Sequence, residues 1–246
     1  MFNQRSSYKI RVLFAIFLLS VLNLARAETT TSSSSSASSS SNVVSYATQI
    51  NGGELSIKMR YDPIYDTRLA VVIGYDTEVT SASDFFHNQL TVDLYNKVSA
   101  CGVVYWNFMP CGTSKLNMGE LTCPKGADQC RYDKIHACVA KLYQKDEQKV
   151  GVFVTCFFVN NKDLTKCVAD AGLVHNDIDQ CMTSNGATNC DAFYQLIHAG
   201  ESQQSATATT PNSATGTATS DGTTDFKKVL CDNLTKSKLQ CDVCTT

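Results

Sequence analysis

Beyond its N-terminal run the 246-residue chain has no apolar stretch long enough to cross a bilayer as a helix, so a soluble product is expected. Lysine and arginine are neither abundant nor clustered, 21 against 23 aspartates and glutamates. A partner built on a phosphate backbone needs the opposite, so neither nucleic-acid binding nor membrane insertion is expected. The four histidines, His87, His136, His175 and His198, show neither H-E-x-x-H nor a C-x-x-C…H-x-x-x-H spacing. No metal site is expected from them. There is no phosphate-binding loop either, because Gly52-Gly53 stands before a strand without the helix that must follow. No cofactor is implied.

The N-terminal run itself reads as an export signal over residues 1–27. Arg5, Lys9 and Arg11 form a positive head, Val12 to Leu22 is a short apolar stretch, and Ala25-Arg26-Ala27 is a small-x-small cleavage site. Cleavage near Glu28 removes four basic and no acidic residues and takes the net charge from −2 to −6. The product is expected to be secreted and extracellular, or delivered to an acidic vesicle. A Ser/Thr-rich leader, 28–45, follows; from 28 to 41 no apolar side chain exceeds alanine, too little to offset the entropy of ordering. Residues 46–246 are expected to form one domain.

All twelve cysteines lie in that domain, at Cys101, Cys111, Cys123, Cys130, Cys138, Cys156, Cys167, Cys181, Cys190, Cys231, Cys241 and Cys244. An even number in an exported chain reads as a disulfide framework. Pairing is not legible from the order, with one exclusion. Gly102 to Pro110 reads as an extended strand, and at about 3.3 Å per residue its ends are too far apart for Cys101 to bond Cys111.

Glu54 to Tyr61 alternates, with Leu55, Ile57 and Met59 on one face, and Asp62-Pro63 ends it. Leu69 to Ile73 is an apolar run suited to a strand buried on both faces. A helix capped by Ser83 or Asp84 should carry Phe86, Leu90, Leu94 and Val98 along one stripe, before a strand over Val103 to Met109. Strand, helix and strand of these lengths make a right-handed crossover between parallel strands. Ile135 to Tyr143 has helical spacing, with Ile135, Val139 and Leu142 on one side. Val150 to Val159 favours strand by composition. Phe226 to Leu234 reads as a closing helix, and Asn233-Leu234-Thr235 is the only N-glycosylation sequon.

The stretch C-P-K-G-A-D-Q-C-R-Y-D-K-I-H-A-C, Cys123 to Cys138, closely resembles the signature C-Q-H-G-x-x-E-C-x-x-N-x-x-x-x-C of the gamma-interferon-inducible lysosomal thiol reductase family. Cys123, Gly126, Cys130 and Cys138 match; Pro124, Lys125, Gln129 and Asp133 depart. The resemblance extends from Leu69 to Gly200, through Met109-Pro110-Cys111-Gly112-Thr113 for V-P-Y-G-N, Cys167, Asp177 to Cys181, and Gln195 to Gly200 for L-L-H-x-x-G. It implies an α/β, thioredoxin-like fold with a helical, disulfide-rich insertion at about 114–200, and makes Val150 to Val159 a helix. It also implies a redox site in the pattern Y-Y-E-S-L-C-P-x-C-R-x-F. In that register Tyr75, Asp76 and Thr77 stand for Y-E-S, and Val79, Thr80, Ser81 and Ala82 stand where the C-x-x-C belongs.

Both redox cysteines are therefore absent. Valine and alanine can neither attack a disulfide nor resolve a mixed one, and Ser81 has no histidine in a sequence relation that would activate it. The family's proline and apolar strand, V-P-W-V-x-V-N-G, are met only by a polar loop at about 202–224, in which Pro211 stands for the proline. Within the family the chain resembles a mosquito salivary member lacking the pair. This resemblance implies a pseudoenzyme without catalytic residues that binds a protein or cell-surface partner of host or microbe. The alternative is a thiol-disulfide oxidoreductase using Cys241 and Cys244, the one C-x-x-C in the chain; no helix can follow it to stabilise a thiolate.

Overall fold

The computed structural model describes residues 44–50, 54–63, 66–198 and 225–245. Four strands form one sheet in the order β1 (Val44–Ile50), β2 (Leu55–Tyr61), β3 (Leu69–Tyr75) and β4 (Val104–Pro110). The first three make an antiparallel meander, and β4 lies parallel to β3. Between β3 and β4 the chain crosses over through α1 (Thr80–Asn88) and α2 (Val92–Ala100). A small hairpin, β5 (Lys115–Asn117) and β6 (Glu120–Thr122), then leads into α3 (Ala127–Leu142). The helical part continues with α4 (Glu147–Val159), α5 (Leu164–Asp170), α6 (His175–Ser184) and α7 (Gly186–His198). Helix α8 (Phe226–Lys236) and a short 3-10 turn, Asp242–Cys244, close the chain. This is the expected mixed α/β, thioredoxin-like architecture with its disulfide-rich helical part.

The register puts the apolar residues of three strands in line. Ile57, Ile73 and Phe108 lie opposite one another, as do Met59, Val71 and Trp106, and all six are buried. On this face α1, α2, α4 and α8 supply aromatic partners. Phe86 stacks on Phe158 at 4.6 Å, Phe85 meets Phe226 edge-on at 5.1 Å, and Tyr95 lies 5.4 Å from Trp106. Helices α2 and α4 touch because residue 151 is glycine: a Cβ there would stand 2.1 Å from the Tyr95 ring.

Several expectations are corrected. The stripe Phe86, Leu90, Leu94 and Val98 is buried but is not one helix: Phe86 belongs to α1, Leu94 and Val98 to α2, and Leu90 to the bend between them. The break comes where Thr91 turns extended and its hydroxyl accepts the Leu94 N–H at 3.2 Å, capping α2. Neither Ser83 nor Asp84 caps α1, which begins earlier, with Val79 as N-cap and the Ser83 N–H bonded to the Val79 carbonyl. Leu142 is 46% exposed and leaves the apolar side shared by Ile135 and Val139. Val150 to Val159, by contrast, is helical as the resemblance implied, despite its β-favouring composition, because α4 is buried nearly all round and starts from an Asp146 cap on the Lys149 N–H. At the N-terminal end, β1 starts at Val44, inside the stretch expected to be leader.

Six disulfides link these elements: Cys101–Cys241, Cys111–Cys190, Cys123–Cys130, Cys138–Cys181, Cys156–Cys167 and Cys231–Cys244. As expected, Cys101 and Cys111 do not bond each other. Pro211 and the polar loop 202–224 lie outside the described residues. Both edges of β3 are paired, by β2 and β4. No described helix is long and apolar enough to cross a membrane.

Candidate functional site

β3 hands the chain to α1 through Asp76, Thr77 and Glu78. Val79, the N-cap, is extended at φ −108° and ψ 138° and has no side-chain oxygen to offer the helix. Thr80, Ser81 and Ala82 make the first turn, so the four residues do sit at a helix N-terminus behind the central parallel strand. That placement lowers a thiol pKa, but no sulfur is there to benefit. Val79 and Ala82 are 4% and 0% exposed. The Ser81 hydroxyl is enclosed, with no hydrogen-bond partner among the described residues, and hence no base to activate it.

Behind this turn lies a polar cluster that holds the β3–α1 loop. Asp133 of α3 is fully buried. Its Oδ1 accepts the Thr77 N–H at 3.1 Å and the Thr77 hydroxyl at 2.7 Å, while Oδ2 accepts the Ser114 hydroxyl at 2.7 Å. Asp76, also fully buried, accepts the Thr113 N–H at 3.0 Å and the Thr113 hydroxyl. One turn before Asp133, Gln129 donates to Ser114 Oγ at 3.3 Å and accepts the Lys125 N–H at 2.7 Å. Three chain segments are thus tied to one face of α3.

No basic side chain bonds either carboxylate among the described residues. Burial pushes Asp133 up to about 7, and the neighbouring Asp76 adds to this against the hydrogen bonds from Ser114 and Thr77. Asp76 is raised as well, again by burial first, with the Thr113 hydrogen bonds opposing. Further along α3, His136 Nδ1 is 2.9 Å from the Tyr75 hydroxyl. Burial among aromatic rings lowers His136 to about 3; the Tyr75 hydroxyl is raised well above its usual range, by burial and then by Asp133. The cluster can brace a loop and hold a proton. It has no group that transfers electrons.

Every cysteine is consumed in a disulfide. Cys241 and Cys244 do not form a redox couple, since Cys241 is bonded to Cys101 and Cys244 to Cys231; this corrects the C-x-x-C alternative. Among the described residues one cluster, Cys111, Asp133 and Cys190, has the dimensions of a metal site. Its two sulfurs are bonded to each other and supply no thiolate ligands. The sequon fares no better: Asn233 is 4% exposed and its amide donates to the Val229 carbonyl at 2.8 Å within α8. The folded chain does not present that side chain for a sugar.

Val79, Thr80, Ser81 and Ala82 form the start of α1. Sequence reasoning did not find the carboxylate cluster, although its signal was present. Gln129 and Asp133, two departures from the signature, lie one helical turn apart on the same buried face.

A family model described as Gamma interferon inducible lysosomal thiol reductase (GILT) matches residues 70–171. That span runs from β3 to the end of α5 and includes the α1 N-terminus and both buried aspartates. No curated protein and no solved structure matches the chain. Residues 70–171 thus carry a domain of the gamma interferon inducible lysosomal thiol reductase family.

Proposed function

We propose that this chain is an exported member of its family that has lost disulfide reduction and works by binding a protein or cell-surface partner of host or microbe. One observation carries the reading: the helix start behind the central strand bears Val79, Thr80, Ser81 and Ala82, while all twelve cysteines are tied up in pairs. Reduction of a disulfide requires a thiolate to attack one sulfur and a second thiol to release the product. Neither is available. What persists is a scaffold cross-linked six times, which fits an oxidising, extracellular setting and offers a rigid surface for recognition.

The test begins with alkylation of the secreted protein under denaturing conditions without reductant, followed by mass mapping, alongside an insulin-reduction assay at acidic and neutral pH. No alkylated cysteine and no reduction are expected, together with saturable binding to surfaces met in the secretion environment. Two alkylated cysteines at one locus with measurable reduction would overturn the loss of activity. Absence of saturable binding to any such surface would overturn the binding role.

A further inference from the structure

Next to the carboxylate cluster, at the C-terminal ends of β3 and β4, a cavity of about 330 Å³ opens between the β5–β6 hairpin and α7. Its floor is the Gly112-Thr113 backbone that follows β4. Lys115 and Asn117 of β5, with Thr122 of β6, form one wall; Tyr194 and His198 of α7 form the other.

The walls are fixed in advance. Cys111, adjoining the floor, is bonded to Cys190, which lies one turn before Tyr194 and two before His198 on the same side of α7. Cys123, next to Thr122 at the rim, is bonded to Cys130 of α3. His198 Nε2 hydrogen-bonds the Gly112 carbonyl at 2.8 Å, and its ring packs 4.3 Å from that of Tyr194. A ligand entering here orders little of the protein, and preorganisation of this kind favours binding.

The chemistry of the lining selects the ligand. Lys115 holds its ammonium 5.5 Å from the centre of the Tyr194 ring and has no carboxylate partner among the described residues. That leaves one positive charge for a ligand anion. Around it stand an amide, Asn117, and a hydroxyl, Thr122, bonded to each other at 3.3 Å across the hairpin and able to exchange that bond for ligand hydroxyls. Pro124 and the Tyr194 ring edge add small apolar surfaces, and no large aliphatic side chain among the described residues lines the cavity. We propose that this cavity binds a singly charged anionic group carried on a polyhydroxylated ring, as at the terminus of an acidic glycan, with Lys115 as the charge partner.

The inference deepens the binding role proposed above and relies on it only for its biological use. Isothermal titration of the full secreted protein at low salt tests it, with glucuronate, glucose 6-sulfate and glucose as probes. The two anions separate a carboxylate source from a sulfate source, and glucose removes the charge. Saturation by at least one anion in the millimolar range is expected, with glucose at least about tenfold weaker and Lys115→Met bringing the anion down to the level of glucose. Lys97→Met, in an exposed ion pair on α2, should bind as the unmodified protein does. The proposal is overturned if neither anion saturates, if glucose binds as well as the anions, or if Lys115→Met has no effect. Cell-surface binding without anion binding would overturn this site alone, and anion binding without any surface partner would overturn the binding role alone.

Discussion

Asp133 and His136 lie three residues apart on the buried side of α3 and are pushed in opposite directions by the same burial, the carboxyl up to about 7 and the imidazole down to about 3. Each group is held in its neutral form, one with a proton and one without. The consequence for stability follows from where each group sits when the chain is unfolded, near 3.8 for the carboxyl and 6.5 for the imidazole.

Between these limits the two slopes oppose. Folded Asp133 keeps a proton that the unfolded chain releases above pH 3.8, so its contribution falls as pH rises toward 7. Unfolded His136 takes up a proton below 6.5 that the folded ring refuses, so its contribution falls as pH drops toward 3. From about pH 4 to 6.5 they cancel, each proton being worth about 1.4 kcal/mol per pH unit. Urea unfolding across this range should show Asp133→Asn losing stability on acidification and His136→Phe gaining it. Parallel profiles for the two variants would sink the idea.

A second expectation concerns which residue of α3 carries the acid. The family signature has glutamate and asparagine where this chain has Gln129 and Asp133, so the acid and the amide have changed places within one hydrogen-bonded cluster. Gln129→Glu alone puts a third carboxylate beside Asp76 and Asp133 with no cation, and should cost on the order of 3 kcal/mol at neutral pH. The double exchange Gln129→Glu with Asp133→Asn should recover most of that loss, because it restores one acid and one amide. Denaturant midpoints of the two singles and the double give the coupling directly; simple additivity would mean that the two positions do not share a cluster.

Much of this architecture was legible in the sequence. The alternation of Leu55, Ile57 and Met59, the apolar run from Leu69 to Ile73 and the stretch ending at Pro110 gave three of the four sheet strands. Strand β1 escaped because Val44–Ile50 adjoins a Ser/Thr tract, although Asn51-Gly52 between two alternating runs is itself a hairpin signal. The break at Thr91 escaped because a four-residue repeat continues unchanged across both helices. Of the carboxylate cluster, only the departures at Gln129 and Asp133 showed in the sequence; the residues they meet could not be read from local pattern. Residues 76, 113, 114, 129 and 133 meet only once β3, β4 and α3 are packed, and for the same reason the order of the cysteines did not give their pairing.

The sequon yields a prediction about the mature protein. A glycan on Asn233 would have to replace the bond to the Val229 carbonyl and displace the packing that leaves the side chain 4% exposed. Secreted material should therefore carry an unmodified Asn233, with no mass change on treatment with peptide N-glycosidase. A glycan found there by peptide mapping would show that α8 does not pack as described.

The proposed register, which sets Val79 and Ala82 at the family's redox positions, can be tested by introducing two cysteines. The N-cap and the third residue of a helix point their side chains to the same side of the first turn, close enough for two sulfurs to bond. Val79→Cys with Ala82→Cys should therefore give a seventh disulfide, seen as no alkylation without reductant and two labelled positions after mild reduction. The new pair sits at a helix N-terminus, which favours the thiolate and makes the bond easier to reduce than a structural one. It should open before the six native bonds as reductant is raised. Two free thiols in the untreated variant would place residues 79 and 82 apart and remove the basis for reading this turn as the former active site.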